Sequence, residues 1–291
     1  MNKSFVRVFS TLKIRSTAER ILRLKDLSEL KSDFPPPVRI LGNGSNILMD
    51  DLGLKGTLVI VRDFPPKEPV LLREKKDSVE LKVSAGMFLP TLARWAAKRS
   101  LTGCEYMIGI PGTVGGAVLQ NAGANGQEIK DILIAIETYD LKTGECSELS
   151  KEECQLSYRS SRLKGNPFKI VFSATLRLQK APASFIEDNL EKNLRYRKEK
   201  TPYSKPSLGS IYTRLQTSNG WLYPGKLIEE AGLKGTRVGG AVVSPIHANY
   251  IVNDGGATFF DVMKLMEIIE KKVLAHSGHS LQREIVVWTD R

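Results

Sequence analysis

Two glycine-rich loops in the first half of the chain constrain what it can fold into more than any other feature. The first reads Leu41-Gly42-Asn43-Gly44-Ser45-Asn46-Ile47-Leu48 and follows an apolar strand candidate at Val38 to Leu41. The second reads Gly109-Ile110-Pro111-Gly112-Thr113-Val114-Gly115-Gly116-Ala117. It continues through Gln120-Asn121-Ala122-Gly123-Ala124-Asn125-Gly126. So many small residues cannot fill a core by volume. They let backbone N–H groups approach an anion closely and line up as an anion nest. Ser45 and Asn46 add polar groups to the first loop. A dinucleotide fingerprint of the doubly wound type would need a third glycine at position 47, where Ile47 stands, so that fingerprint fails. One such loop alone would read equally well as an ordinary tight turn; two in one half favour a backbone wrapped around an extended ligand.

Gly220, Gly225 and Lys226 look like the start of a phosphate-binding P-loop, but Leu227 occupies the position that needs Ser or Thr. The spacing instead predicts a plain helix over Lys226 to Ala231, stopped by Gly232.

The formal net charge of +11 favours an anionic partner. The basic residues are spread along the whole chain and no aromatic-basic motif interleaves them, so a small multi-phosphate ligand is expected rather than nucleic acid. Cys104, Cys146 and Cys154 show no C-x-x-C spacing, and the three histidines form no ligand pair with a cysteine. A disulfide framework and a zinc site are therefore not expected, and a reducing, cytoplasmic setting is. No apolar run is long enough to cross a bilayer. Met1 to Arg15 has neither a continuous apolar core nor a small-residue cleavage site, and is not read as a signal peptide.

Strands are predicted at Val38–Leu41, Thr57–Val61, Leu81–Ser84, Ile132–Tyr139, Ile170–Leu178 and Asn249–Asn253. A helix is predicted over Leu89–Lys98 with Leu92, Trp95 and Ala96 inward. A second, heavily charged helix runs from about Phe185 with Ser184 as N-cap and ends near Thr201-Pro202. In the second half Phe259, Val262, Leu265, Met266, Ile269 and Val273 form one apolar helical stripe, read as core, ahead of Gly278. A last strand, Glu284–Trp288, is apolar except at its first residue. Helices and strands mix without regular alternation, so the class is α+β.

The order of several further segments carries a resemblance. Tyr158-Arg159-Ser160-Ser161, Gly209-Ser210, Ala231-Gly232-Leu233-Lys234-Gly235, His247-Ala248-Asn249-Tyr250-Ile251-Val252-Asn253 and Leu281-Gln282-Arg283-Glu284 follow the two glycine loops. Each is weak alone; their joint order resembles the UDP-N-acetylenolpyruvoylglucosamine reductases, the MurB family of bacterial cell-wall synthesis, in its compact, type II-like branch. The resemblance runs from about Thr11 to the last strand. It implies an FAD-binding domain of the p-cresol methylhydroxylase and vanillyl-alcohol oxidase type over residues 1–190, in two lobes. It also implies a smaller α+β substrate-binding domain over residues 195–291, whose last strand returns to the active site.

The reaction so implied uses NADPH as co-substrate and non-covalent FAD to reduce an enolpyruvyl ether of UDP-N-acetylglucosamine to UDP-N-acetylmuramate. Charge developing on the substrate's carboxylate-bearing carbon needs a fixed cation and a proton donor. By resemblance Arg159 is the cation, Ser210 the proton donor and Glu284 the catalytic carboxyl. On residue type alone, Arg159 would read as a surface ion pair, Ser210 as a turn residue and Glu284 as an exposed strand start. The same resemblance assigns flavin contacts to Gly42, Asn43, Gly44, Ser45, Asn46, Ile110, Pro111, Gly112, Thr113, Gly115, Gly116, Ala117, Asn121, Ala122, Gly123 and Ala124. Tyr158, Arg214, Lys234 and His247 are assigned to the substrate.

The chain departs from the family pattern at Arg15-Ser16, where paired glycines are usual. It departs again at Thr213 and Leu215, and at Arg283, where proline usually precedes the final glutamate. A different FAD-linked oxidase of an alcohol or sugar on the same scaffold is the alternative, without a histidyl flavin link in these loops, since no histidine precedes His247. A non-catalytic flavin or nucleotide binder is a third reading, disfavoured by the joint presence of Arg159, Ser210 and Glu284.

Overall fold

A computed structural model describes residues 6–31, 34–218 and 220–291. The first residues of the Met1–Arg15 stretch, read above as lacking a signal peptide, lie outside that range. The chain divides into two compact units. One, here the loop unit, comprises Arg20–Asn43 and Gly56–Arg195; the other, the C-terminal unit, comprises Met1–Glu19, Gly44–Lys55 and Tyr196–Arg291.

The loop unit is built on an antiparallel sheet. Its strands lie in the order Cys146–Ser150, Leu133–Asp140, Lys169–Lys180, Ser78–Ser84, Val70–Glu74. Alternation sets its faces. Val79, Leu81, Val83, Ala174, Leu176 and Leu178 point into the main core with helices α1 (Leu89–Ala97) and α2 (Val114–Gln120). Outward neighbours pair instead: Lys82 with Glu137 at 2.5 Å and Arg177 with Glu80 at 3.0 Å. A short parallel pair, Val38–Leu41 with Thr57–Ile60, leads directly into the first glycine loop. Helix α1 buries Leu89, Leu92, Ala93 and Ala96, and Trp95 packs only partly. Helix α3 begins at Ala183, so Ser184 lies inside its first turn and is not its N-cap. It ends at Lys200 and buries only Ile186 fully.

In the C-terminal unit, α4 (Pro224–Glu230) and α5 (Phe259–Ser277) pack with the strands Ala241–Val243 and Ile251–Asn253 around one core. The apolar stripe of α5 is buried as its periodicity predicts, from Phe259 to Val273. Thr258 caps its start: its hydroxyl accepts from the Asp261 N–H at 3.1 Å while Asp261 accepts from the Thr258 N–H. Gly278, at φ +72°, closes its end in the left-handed conformation that favours glycine. The P-loop lookalike is the plain helix α4, with Gly232 turning the chain away at φ +70°.

The three-residue strands Ile47–Met49 and Val286–Trp288 pair in parallel. That pairing is why the segment after the first glycine loop belongs with the end of the chain. The predicted last strand is shorter at its start: Glu284 precedes it by two residues. The strand Arg15–Arg23, unread in the sequence, pairs its first residues with Val6–Phe9. All three cysteines are free thiols, Cys104 and Cys154 buried. Among the described residues there is no cluster fit for a metal ion, and no helix is long and apolar enough to cross a membrane.

Candidate active site

In the loop unit the two glycine loops meet. The Asn43 amide donates to the Pro111 carbonyl at 2.6 Å. Gly42 lies so close to Thr113 that a Cβ on it would stand 2.6 Å from the threonine hydroxyl. Thr113 is itself committed, capping α2 by accepting from the Gly116 N–H at 3.4 Å. Gly115 has no room either, because a Cβ there would come within 2.9 Å of the Ala85 Cβ. Gly42 and Gly115 are thus glycine for close approach of backbone to backbone or side chain. Ala117 and Gly115 face the core; Ile110, Gly116, Ala122, Gly123 and Ala124 are half-buried, and Pro111 is exposed.

Asn121 is fully buried and left-handed, with φ 41°. Its amide donates to Glu128 and to the Ser157 carbonyl, both at 3.0 Å, and its oxygen accepts from the Lys130 N–H at 3.2 Å. The side chain of this expected flavin contact therefore serves the protein itself. It ties the second loop to the Ser157–Ser160 turn that carries Tyr158 and Arg159. Ser161 adds a second tie, donating to the Leu119 carbonyl at 2.9 Å.

Arg159 sits at the tip of that turn in the left-handed region, φ +53°, which is uncommon for a side-chain-bearing residue. Its guanidinium donates to the Gly123 carbonyl at 3.2 Å and lies 5.1 Å from the Tyr158 ring centre. Its positive charge also helps hold the Glu128 carboxyl below the usual range. There, burial pushes upward but is outweighed by the Lys130 ammonium at 2.6 Å, by Asn121 and by Arg159. The structure thus brings Tyr158 and Arg159 against Gly123, as one cationic rim on the second loop.

Gln120 is the residue that sequence reading left off. Its amide nitrogen and oxygen are both buried and have no hydrogen-bond partner among the described residues. A buried amide without partners costs roughly 1–3 kcal/mol, so it calls for a ligand group with a donor and an acceptor. A flavin nucleotide, with ring carbonyls, ring nitrogens and phosphates, meets that demand. In the sequence, Gln120 is one more polar residue in a run of small ones, and only its burial distinguishes it.

In the C-terminal unit, Ser210 follows Gly209, whose φ of +77° requires glycine. A main-chain rung joins the next residue to the other expected catalytic position: Glu284 N–H donates to the Ile211 carbonyl at 2.7 Å. Asn46, from the first glycine loop, reaches the same place, its amide donating to the Glu284 carbonyl at 3.2 Å. Asn249 fixes the other side of this rung. It accepts from the Tyr212 N–H at 3.0 Å, donates to the Tyr212 carbonyl at 2.9 Å, and its own carbonyl accepts from the Ile211 N–H at 2.9 Å. The segments carrying Ser210 and Glu284, far apart in sequence, are therefore joined by main-chain bonds in this unit, and both residues are half-buried. Arg159 belongs to the loop unit.

Arg283, which stands where proline is usual, forms a bidentate pair with Glu270 at 2.6 and 2.9 Å. That departure is absorbed by α5. Thr213 N–H donates to the Gln282 carbonyl at 2.9 Å, so the second departure continues the rung rather than supplying a charge. Arg214 stacks over the Trp221 ring at 4.0 Å. Lys234 pairs with Glu229 at 2.6 Å. His247 is largely buried, and burial lowers its pKa below the ordinary value, with Lys234 and Arg197 pushing the same way. Its Nδ1 accepts from the Asn249 N–H at 3.2 Å, so the proton of the neutral ring is on Nε2. Gly225 lets the ring lie flush, since a Cβ there would meet its Cε1 at 3.0 Å. The Lys234 ammonium, paired with Glu229, is thus near enough to act electrostatically on the His247 ring.

Two family models match separate stretches of the chain. The model of an FAD binding domain matches residues 19–150, and the model of the C-terminal domain of UDP-N-acetylenolpyruvoylglucosamine reductase matches residues 201–288. The UDP-N-acetylenolpyruvoylglucosamine reductase of Prochlorococcus marinus is 38% identical over 95% of this chain and 94% of its own length. That of Anoxybacillus flavithermus is 36% identical over 96% and 90%. The crystal structure of UDP-N-acetylenolpyruvylglucosamine reductase from Thermus caldophilus covers 98% of this chain and 99% of its own, with a TM-score of 0.78 and 31% identity. With both domain models matched in order and relatives aligned across nearly all of its length, the chain belongs to the UDP-N-acetylenolpyruvoylglucosamine reductase family.

Proposed function

We propose that this chain reduces the enolpyruvyl ether of UDP-N-acetylglucosamine to UDP-N-acetylmuramate, with NADPH as reductant. Its place is the cytoplasmic phase of peptidoglycan synthesis, a setting that suits three free cysteines. Gly42, Asn43, the 109–117 loop and Ala122–Ala124 hold the cofactor non-covalently, and Gln120 hydrogen-bonds it. Bound there, FAD would supply hydride transfer, from NADPH to the terminal carbon of the enolpyruvyl double bond.

The chain's own residues manage the charge and the proton. Addition at the terminal carbon leaves negative charge on the adjacent carbon and its carboxylate. The Arg159 guanidinium, always charged and able to grip a carboxylate with two N–H groups, stabilises it. The Ser210 hydroxyl delivers a proton to that carbon, which is basic enough to take it from a weak acid. Glu284 hydrogen-bonds the reacting group while its main chain fixes the Ser210 segment. Lys234 and the Nε2–H of His247 bind the substrate's phosphates, with Arg214 and Tyr158 completing its contacts.

The observation that supports this reading is the 2.7 Å main-chain bond from the Glu284 N–H to the Ile211 carbonyl, which joins the segment carrying Ser210 to the segment carrying Glu284. Stopped-flow measurement on Ser210→Ala tests it. NADPH should reduce the bound flavin at the parent rate, and reoxidation by UDP-linked enolpyruvyl-N-acetylglucosamine should fall by at least about a hundredfold, as for loss of a general acid. Unchanged reoxidation removes Ser210 from the chemistry.

A further inference from the structure

Asp50 is a buried carboxylate whose partners all come from its own turn and from the last residues of the chain. Its side chain is 1% exposed. One oxygen accepts from the Leu52 N–H at 2.9 Å and from Arg291 Nη2 at 2.7 Å. The other accepts from the Thr289 hydroxyl and from Arg291 Nε, both at 2.7 Å. Three of these four bonds come from residues 289 and 291. The same turn is held by Ser16, whose hydroxyl donates to the Asp50 carbonyl at 2.5 Å. Nearby, Asp51 accepts from the Phe259 N–H at the start of α5, at 2.8 Å. Asp290 accepts from the Lys55 N–H at 2.6 Å.

The clasp sits at one end of a short parallel ladder. Asp50 N–H donates to the Trp288 carbonyl at 2.9 Å, extending the pairing of Ile47–Met49 with Val286–Trp288. A ladder of three residues per strand is marginal by itself, and a slip of one residue would turn every side chain to the opposite face. A bidentate guanidinium–carboxylate pair has one geometry and forbids the slip. At the other end of the ladder, Val286 N–H donates to the Asn46 carbonyl at 2.9 Å, and the Asn46 amide donates to Glu284. Whatever fixes the register therefore fixes Glu284 against Asn46 and Ile211. The Arg291 side chain is 50% exposed, and an ion pair open to solvent on one side adds little net stability, so conformational specificity is the better account of this one.

We propose that the Asp50–Arg291 clasp is a positioning device for Glu284: by locking the register of the two short strands it holds the Glu284 main chain against Asn46 and Ile211, next to the Ser210 segment. The proposal rests on the catalytic reading of Glu284, and a two-residue cycle separates the two. Arg291→Gln, Glu284→Gln and the double variant are compared for FAD affinity, flavin reduction by NADPH and flavin reoxidation by the enolpyruvyl substrate. Arg291→Gln should bind FAD and be reduced like the parent, and reoxidise about tenfold more slowly. In the Glu284→Gln background the same change should cost nothing further, because it acts through that carboxyl. Arg291→Lys, which keeps the charge and loses the fork, should recover only part of the rate.

Parent-like reoxidation in Arg291→Gln, equal losses in both half-reactions, or losses that multiply with Glu284→Gln overturn the proposal and leave the catalytic reading standing. A Glu284→Gln protein that reoxidises at the parent rate overturns the catalytic reading and the proposal with it. If Arg291→Gln shows no cooperative melt, Thr289→Val, which removes one of the four bonds, decides by the same criteria.

Discussion

At the scale of single residues, the conformation of Arg159 separates its structural from its functional worth. A side chain at φ +53° costs about 1 kcal/mol that glycine does not incur. Arg159→Gly should therefore melt higher than Arg159→Ala by that amount, while both lose reoxidation by the substrate. Thermal melts of the pair alongside the half-reaction check it; an alanine variant as stable as the glycine variant would mean the turn is unstrained.

His247 makes a pH prediction. Its folded pKa lies below its unfolded value near 6.5 because burial disfavours the imidazolium, and Lys234 and Arg197 add to that. The unfolded chain then binds the extra proton first. The contribution to stability is complete above about pH 6.5 and is lost as pH falls through that value toward the folded pKa. Melting temperature from pH 7.5 to 5.5 should drop more steeply in the parent than in His247→Gln. Parallel curves would contradict the assignment.

At the scale of elements, α5 shows how far sequence carries a structure. Its apolar spacing, Thr258 and Gly278 specify both ends and the inner face, because every signal is local. Thr258→Ala removes the capping bond and should cost about 1 kcal/mol in chemical unfolding, with little change in cofactor affinity. A loss within error would mean the cap is replaced by solvent.

The strand Arg15–Arg23 shows the opposite case. Its sequence, RSTAERILR, lacks a clean alternation, and its strand state shows in its pairing with Val6–Phe9. Val70–Glu74 is exposed along its whole length and carries no burial pattern to read. The α3 start was misplaced because Ser184 resembles a cap, while the helix already begins at Ala183. Glycine loops were legible as close-approach backbone, but not their mutual bond through Asn43 and Pro111. The Asp50–Arg291 clasp was invisible for the same reason: one aspartate and one arginine among many, paired only by folding.

At the scale of the whole molecule, family membership follows from the order of matched segments, and chemistry follows from what each unit does locally. The loop unit offers a buried Gln120 amide without a hydrogen-bond partner among the described residues, and Arg159 against the Gly123 carbonyl. The C-terminal unit offers the main-chain bond that joins the Ser210 and Glu284 segments, and a His247 ring within the field of Lys234. A net charge of +11 suits a protein whose ligands are all multiply anionic.

The central claim is that the chain is a flavoenzyme whose oxidant is an enolpyruvyl nucleotide-sugar. An anaerobic cuvette experiment tests it most directly: purified protein with FAD, one equivalent of NADPH, then one equivalent of UDP-linked enolpyruvyl-N-acetylglucosamine. The account predicts bound yellow flavin, bleaching by NADPH, and return of the oxidised spectrum on adding the sugar nucleotide. A protein that stays colourless with FAD, or bleaches and is not reoxidised by that substrate, contradicts it.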